Sequence, residues 1–207
     1  MPTGHLGHIS LVVELMLKLQ PRSVLDVGIG YGKYGMLARE YLDCAHFKKR
    51  SIVIDGIEGF PDYIQDGQRF YYDHIFIGDV RTLLPSVGQY EMILLMDILE
   101  HFDKEDGLKI LKICQSKANY VLVATPLDIG IQGAVYDNEF ERHRFQWKKQ
   151  HLLAFSPIAF FKSPATLFAL IGEGSTTIKK ELALRKFKVL LRENFPLAYA
   201  IYKKIKG

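Results

Sequence analysis

Five short runs rich in Val, Ile and Leu recur between residues 23 and 125, each closed by Gly, Pro or an acid. They are "SVLDVGI" (23–29), "SIVIDGIE" (51–58), "HIFIGD" (74–79), "YEMILLMD" (90–97) and "NYVLVAT" (119–125). Runs this short, without strict polar alternation, read as strands buried on both faces. Between them, "YGMLAREYLDC", "PDYIQDGQRFYY", "VRTLLPSV" and "KEDGLKILKICQSK" carry helical patterns or single helical turns. Strands and helices in alternation specify a parallel sheet covered on both sides, a doubly wound, Rossmann-like α/β fold. After the fifth run come a polar aromatic stretch, "QGAVYDNEFERHRFQW", a short helix, "KKQHLLAF", and then "IAFFKS" and "TLFALIG" as a hairpin. The expected sheet has about seven strands, mostly parallel, with an antiparallel C-terminal hairpin.

A chain of 207 residues that is 48% hydrophobic is long enough to bury one sizeable core and too short for two full domains. One domain over residues 1–172 is expected, followed by a basic amphipathic helical extension over 173–207. Cys44 and Cys114 cannot make a disulfide framework, and no Cys/His cluster has zinc spacing. A reducing cytoplasm is therefore expected. Near the start, "ISLVVELMLKLQ" lacks a basic leader and a small-residue cleavage site, and Glu14 interrupts it, so it reads as an amphipathic helix. The net charge of +4 is unevenly spread. Residues 173–207 hold nine Lys or Arg against three acids, a net of +6, which leaves the first 172 residues at −2. A basic tail on a slightly acidic body suits contact with an anionic surface.

In doubly wound folds ligands bind beyond the carboxyl ends of the strands, so the residues ending each strand carry the chemical information. The first strand runs into "VLDVGIGYGKYG", which holds two glycine registers: Gly28-x-Gly30-x-Gly32, and Gly30-x-Gly32-x-x-Gly35. The second matches a dinucleotide-binding pattern, though either alone is a weak signal. Asp26 helps to separate them. A carboxylate two residues before the turn repels a pyrophosphate, but it suits a ligand carrying an ammonium and a sulfonium. Glu58, ending the second strand, can accept hydrogen bonds from ribose hydroxyls. Asp79, ending the third, can accept from an adenine amine while Val80 packs on the ring.

Asp26 with its glycines, Glu58, Asp79 and the "MDILEH" after the fourth strand together resemble the class I S-adenosylmethionine-dependent methyltransferases. The likeness spans roughly residues 20 to 172. It implies S-adenosylmethionine (SAM) as cofactor. Asp26, Gly28, Gly30 and Gly32 would lie against its methionine part, and Glu58, Gly59 and Phe60 against the ribose. Asp79 and Val80 would meet the adenine, and Met96 and Asp97 are further cofactor-binding candidates. Asp26 and Glu58 stand farther apart than is usual in that family, the excess falling in "DCAHFKKR", which leaves Asp55 as a second candidate for the ribose. The stretch "TPLDIGIQGAVYDNEFERHRFQW" is similar to a group of bacterial and archaeal methyltransferases of largely unassigned substrate. In that group TP, QG, N, ERH and W recur in this order.

Methyl transfer from a sulfonium needs alignment and, for an oxygen acceptor, removal of a proton. Histidine is the side chain best tuned for that near neutral pH. His101 is the preferred base and His143 the second, in a reading that needs no metal. A variant reading takes Asp97, Glu100, His101 and His143, with Trp147, as similar to the metal-binding set of small-RNA 3′-terminal 2′-O-methyltransferases. In that reading the first acid is Asp where that family has Glu. "NPPY" and "DPPY", typical of enzymes that methylate planar amino groups, are absent. That absence argues against amino groups on bases as acceptors; the expected acceptor is an oxygen of a small molecule or of a glycan- or lipid-linked compound, with nitrogen and carbon acceptors left open. A nucleoside-binding module without catalysis and a nucleotide-dependent oxidoreductase are the competing classes. Tyr136, Phe140 and Trp147 either line an acceptor pocket or form a satellite core.

In the tail, Ala183, Phe187, Leu190 and Leu191 fall on one helical face, with Arg185, Lys188 and Arg192 opposite, and Pro196 breaks the run. Three uses are open: docking on the domain or on a second copy, lying on an anionic membrane, or touching nucleic acid. The lack of a recognisable RNA-binding module counts against the last.

Overall fold

A computed structural model describes residues 6–44, 50–135 and 137–196 of the chain. Its seven strands are β1 (Ser23–Val27), β2 (Val53–Glu58), β3 (His74–Ile77), β4 (Tyr90–Met96), β5 (Ala118–Pro126), β6 (Ile158–Phe161) and β7 (Thr166–Ile171). They form one sheet in the order β3-β2-β1-β4-β5-β7-β6. The first five are parallel, and β7 runs antiparallel to both β5 and β6. The doubly wound sheet with its antiparallel hairpin is thus as the sequence implies. The hairpin's second strand slots in beside β5 and leaves β6 at the edge.

The continuous apolar runs follow from burial on both faces. On one side Val24, Met92, Leu94, Leu122, Phe168 and Leu170 meet α1 (Ile9–Leu19), α2 (Lys33–Ala38) and α7 (Ser175–Asn194). Tyr72, just past α3 (Asp66–Tyr71), joins this layer. On the other side Leu25, Val27, Ile93, Leu95, Val121 and Val123 meet α4 (Val80–Leu83), α5 (Lys104–Lys117) and α6 (Lys149–Leu152). Neighbouring residues of one strand enter opposite cores, because side chains alternate across a pleated sheet.

The polar aromatic stretch after β5 forms a long connection, with one helical turn at Glu139–Glu141. Of its three aromatic candidates, Trp147 belongs to the core and Phe140 to the cleft described below, while Tyr136 lies outside the described residues. Trp147 is 1% exposed, its indole N–H donates to the Leu99 carbonyl at 2.9 Å, and its ring lies against Gly107 of α5.

In α7 the docked residues are Ser175, Ile178 and Leu182, which pack in the layer containing Val12 and Leu15 of α1. Ion pairs Lys18–Glu181 (2.6 Å) and Glu14–Lys186 (2.9 Å) flank this contact. Ala183, Phe187 and Leu190, grouped on one face by their spacing, are exposed. The stripe that meets the body is instead set by Ile178 and Leu182, one turn apart, because only the proximal half of the helix has the body beneath it. Among the described residues no helix is long and apolar enough to cross a membrane.

In an exposed helix, replacing Gly by Ala gains about 1 kcal/mol from propensity alone. At Gly107 a Cβ would lie 2.3 Å from the Trp147 ring, and overpacking of this kind costs roughly 1–3 kcal/mol. The clash outweighs the propensity. Gly107→Ala is therefore expected to lower the urea midpoint of unfolding, followed by the fluorescence of Trp147, which is the sole tryptophan.

Candidate functional site

The turn after β1 opens the site. Gly28, Gly30 and Gly32 all have left-handed φ, at 74°, 51° and 82°. This supports the register Gly28-x-Gly30-x-Gly32 as the turn itself, since only glycine takes three such conformations at little cost. Gly28 also allows close approach: a Cβ there would lie 2.6 Å from Ile98 Cδ1. Gly35, from the other register, serves packing, because a Cβ there would lie 2.2 Å from Tyr72 Cζ.

Beneath the turn lies Asp26, 1% exposed. Its Oδ2 accepts the Tyr72 hydroxyl at 2.6 Å, and the same hydroxyl accepts from the Gly35 N–H at 3.1 Å. Its Oδ1, equally buried, has no hydrogen-bond partner among the described residues. Burial raises the Asp26 carboxyl to about 7, with the Tyr72 hydrogen bond opposing, Glu58 adding to the rise and Lys33 reducing it. A buried carboxylate oxygen without a donor costs several kcal/mol of lost solvation, so the site has a place for a cation or a donor.

Glu58 ties two turns together. Its Oε2 accepts from the Gly30 amide at 2.8 Å and its Oε1 from the Phe60 amide at 2.9 Å. Burial raises its pKa against these amides. Asp55, the alternative, sits three residues lower on β2, with Oδ2 accepting from Tyr90 (2.7 Å) and Oδ1 from the His74 backbone (3.1 Å). Glu58 alone of the two lines the cleft.

Asp79 caps α4, accepting the Arg81 amide at 2.8 Å, and its carboxylate also holds the Arg81 guanidinium. That partner holds the Asp79 carboxyl below its ordinary range. Arg81 reaches on to Asp106 at 3.1 Å. Asp79 is thus engaged as a helix cap by a neighbour that the strand pattern did not reveal. Val80 lines an apolar slot of about 40 Å³ with Ile57, Gly59, Ile98 and Phe102.

Beside the slot is a second space of about 60 Å³, lined among others by Gly28, Gly30, Glu58, Met96, Asp97 and His101. Phe140 lines both spaces, its ring packed on Gly59. Asp97 adopts a left-handed backbone, φ 55°, and lies 3.4 Å from Nδ1 of His8. Nε2 of His8 in turn meets Thr166 Oγ1 at 2.7 Å.

At the far wall, Glu100, His101 and His143 converge, with potential ligand atoms all within 4.8 Å of one another. The Nδ1 of His101 faces the Arg142 carbonyl (3.3 Å) and that of His143 faces the Ile129 carbonyl. A carbonyl only accepts, so both rings carry the proton on Nδ1 and leave Nε2 as a free lone pair. Burial lowers the pKa of His101, which keeps it neutral near pH 7. Burial and then the Asp97 charge raise Glu100 to about 8. The long connection is stitched to this wall by the Arg144 and Phe145 amides, both donating to the Glu100 carbonyl.

Several residues here carried no sequence signal for the site. Tyr72 closes a stretch with a helical pattern, and His8 belongs to no motif. Burial lowers the pKa of Lys33, and the charges of Asp97 and Asp26 nearby oppose that shift.

No protein-family model matches the chain, and no curated protein resembles it in sequence. Its fold, however, has clear counterparts among solved structures. The N-terminal domain of EvdMO1 with S-adenosylhomocysteine (SAH) bound is 14% identical, with a TM-score of 0.57 over 82% of this chain and 82% of that one. The fold is that of the class I methyltransferases. An O-methyltransferase family protein from Burkholderia thailandensis shares this methyltransferase fold at 11% identity and a TM-score of 0.57, over 80% of this chain and 55% of that one. The methyltransferase domain of bacterial CtHen1 shares it at 16% identity and a TM-score of 0.51, over 79% and 97%.

The folded state holds the Asp26 proton more tightly than the unfolded chain, at about 7 against 3.8. Between those values stability therefore falls as pH rises, and above the upper one the loss is complete. The melting temperature of the ligand-free protein should decline from about pH 5 to about pH 8. Asp26→Asn keeps an acceptor for Tyr72 but cannot ionise, so scanning calorimetry should show a shallower decline.

Proposed function

We propose that this chain is an S-adenosylmethionine-dependent methyltransferase that methylates an oxygen of a small-molecule or glycan- or lipid-linked acceptor. The observation that carries the reading is the buried, donorless Oδ1 of Asp26 beneath three left-handed glycines. A diphosphate would meet repulsion there, while an ammonium or sulfonium compensates the charge. The names of solved structures that share the fold, bound to SAH or described as O-methyltransferases, agree with it.

The residues divide the work. Asp26 and the glycine turn receive the amino-acid end of the nucleoside. Glu58, once its turn amides yield, accepts from the ribose, and Val80, Ile98 and Phe102 clasp the base. Bound SAM supplies an activated methyl group. The Nε2 of His101, neutral and facing the cleft, takes the proton from the acceptor hydroxyl as the oxygen attacks. Phe140 covers the site, and the small open volume means that the connection around it swings aside for a ligand of nucleoside size.

Titration calorimetry should detect SAH binding and no NAD binding; the reverse result overturns the proposal. Asp26→Asn should weaken SAH about tenfold or more. Wild-type affinity should fall as pH drops below about 7, where Asp26 takes up a proton. His101→Ala should leave SAH binding intact. It should lower transfer of labelled methyl to acceptors of a cell extract by roughly 100-fold or more.

A second reading rests on the Glu100–His101–His143 convergence. Two imidazole Nε2 lone pairs and a buried carboxylate oxygen without a hydrogen-bond partner, Glu100 Oε2, form a donor set that fits a divalent ion such as Mn²⁺. Such an ion would polarise acceptor hydroxyls, as in a metal-dependent RNA 2′-O-methyltransferase. If this reading holds, Mn²⁺ alone raises the melting temperature, His143→Ala abolishes the rise, and a chelator stops methyl transfer. If instead transfer survives the chelator, His101 acts as the base without a metal.

A further inference from the structure

A cavity of about 710 Å³ lies away from the strand-edge cleft, between the outer side of β6 and the proximal half of α7. Its floor is apolar, built from Ile158, Phe160, Phe161 and Leu167, and its rim carries Lys149, Lys162, Lys179 and Lys180. The ammonium of Lys149 sits 5.6 Å above the Phe160 ring, and none of the four lysines is ion-paired among the described residues. Lysine beside an edge strand deters pairing by another chain, which accounts for Lys162. It does not account for the two lysines on the helix, or for the apolar side chains farther along it.

The cavity-facing residues of α7 are Thr176, Lys179, Lys180 and Ala183. At further steps of four and three along the helix come Phe187 and Leu190, exposed by 53% and 59%. Helical spacing places all of these on one stripe, so the cavity runs without a break into an exposed apolar face. Leu184 is exposed beside it, and Arg185 and Lys188 border it. Of the two acids on this helix, Glu181 is turned to the body by its pair with Lys18, and Glu193 lies 4.0 Å from Arg192, off the stripe. The surface therefore offers unpaired cations around large apolar side chains, and clustered exposure of this kind marks a binding face.

We propose that the β6–α7 cavity and the distal half of α7 form one surface that seats on an anionic phospholipid bilayer. The lysines take lipid phosphates, while Phe187 and Leu190 enter the acyl boundary. Charge complementarity selects this occupant together with the apolar stripe. An RNA backbone would satisfy the lysines but leave Phe187 and Leu190 in water. The cavity's upper end, at Leu127 and Thr166, lies on the same carboxyl edge of the sheet as Asp97, to which His8 links Thr166. Seating on a bilayer thus brings the cleft's edge to the lipid surface. That the acceptor is itself lipid-linked rests on the methyl-transfer reading; the docking does not.

Flotation of the full chain with phosphatidylglycerol-containing vesicles tests the proposal. The protein should float with them and stay behind with pure phosphatidylcholine. A Phe187→Ser/Leu190→Ser variant and a Lys179→Glu/Lys180→Glu variant should each lower the bound fraction about tenfold or more. Both should keep wild-type melting temperatures and SAH affinity, so a failure here is distinguishable from a failure of the cofactor assignment. The proposal is overturned if the wild type ignores anionic vesicles, or if the variants float equally well. It also falls if the same lysines bind a short single-stranded RNA while no vesicle binding occurs. A concentration-dependent dimer that Phe187→Ser/Leu190→Ser dissolves, again without vesicle binding, would overturn it in favour of self-association.

Discussion

A carboxylate buried with one phenolic hydrogen bond governs this molecule. Asp26 faces the layer of α1 and α2 that Tyr72 joins, and among the described residues only Tyr72 donates to it. Tyr72 in turn requires Gly32 and Gly35, because a Cβ at either glycine would collide with its ring or with the adjoining Gln68. The turn's glycines, the start of α2 and the end of α3 are therefore one assembly around a single charge.

The second tier of the site consists of acids whose present partners differ in how readily they give way. Glu58 holds two backbone amides, one from each of the turns that follow β1 and β2. Asp79 is locked by a guanidinium that also binds Asp106, so exchanging that partner disrupts a three-residue network. Strand-end acids that look alike in sequence thus differ in availability. Burial raises one carboxyl while a cation lowers the other.

What could be read from the sequence was what periodicity and strand-end chemistry encode. All five body strands, the hairpin and the ordered series Asp26, Glu58 and Asp79 are local patterns; Asp26 lies one residue before the end of β1, Glu58 ends β2, and Asp79 follows β3. Partners brought together by the fold were not legible. Tyr72 lies 46 residues from Asp26, and His8 lies 158 from Thr166. Trp147 could be core or pocket until its contact with Gly107 was visible, because an aromatic in a polar stretch has the same signature in both roles. The tail helix was amphipathic by spacing, but which stripe docks depends on where the body ends beneath it, and no residue of the helix records that.

The long connection after β5 has a neck. Gln146 accepts from the Ile129 amide at 2.9 Å and donates to the Pro126 carbonyl at 3.0 Å, while Trp147 anchors the same end to the core. Departure and return of the segment are therefore clamped side by side, as in a closed ring. Within that ring, residues 130–135 make few of the bonds to the body, whereas Phe140, Glu141, Arg144 and Phe145 are tied to Gly59, Tyr63 and Glu100. Under the proposed function, a change of acceptor would therefore be made most cheaply in the part of the ring that touches neither the sheet nor the strand-edge cleft.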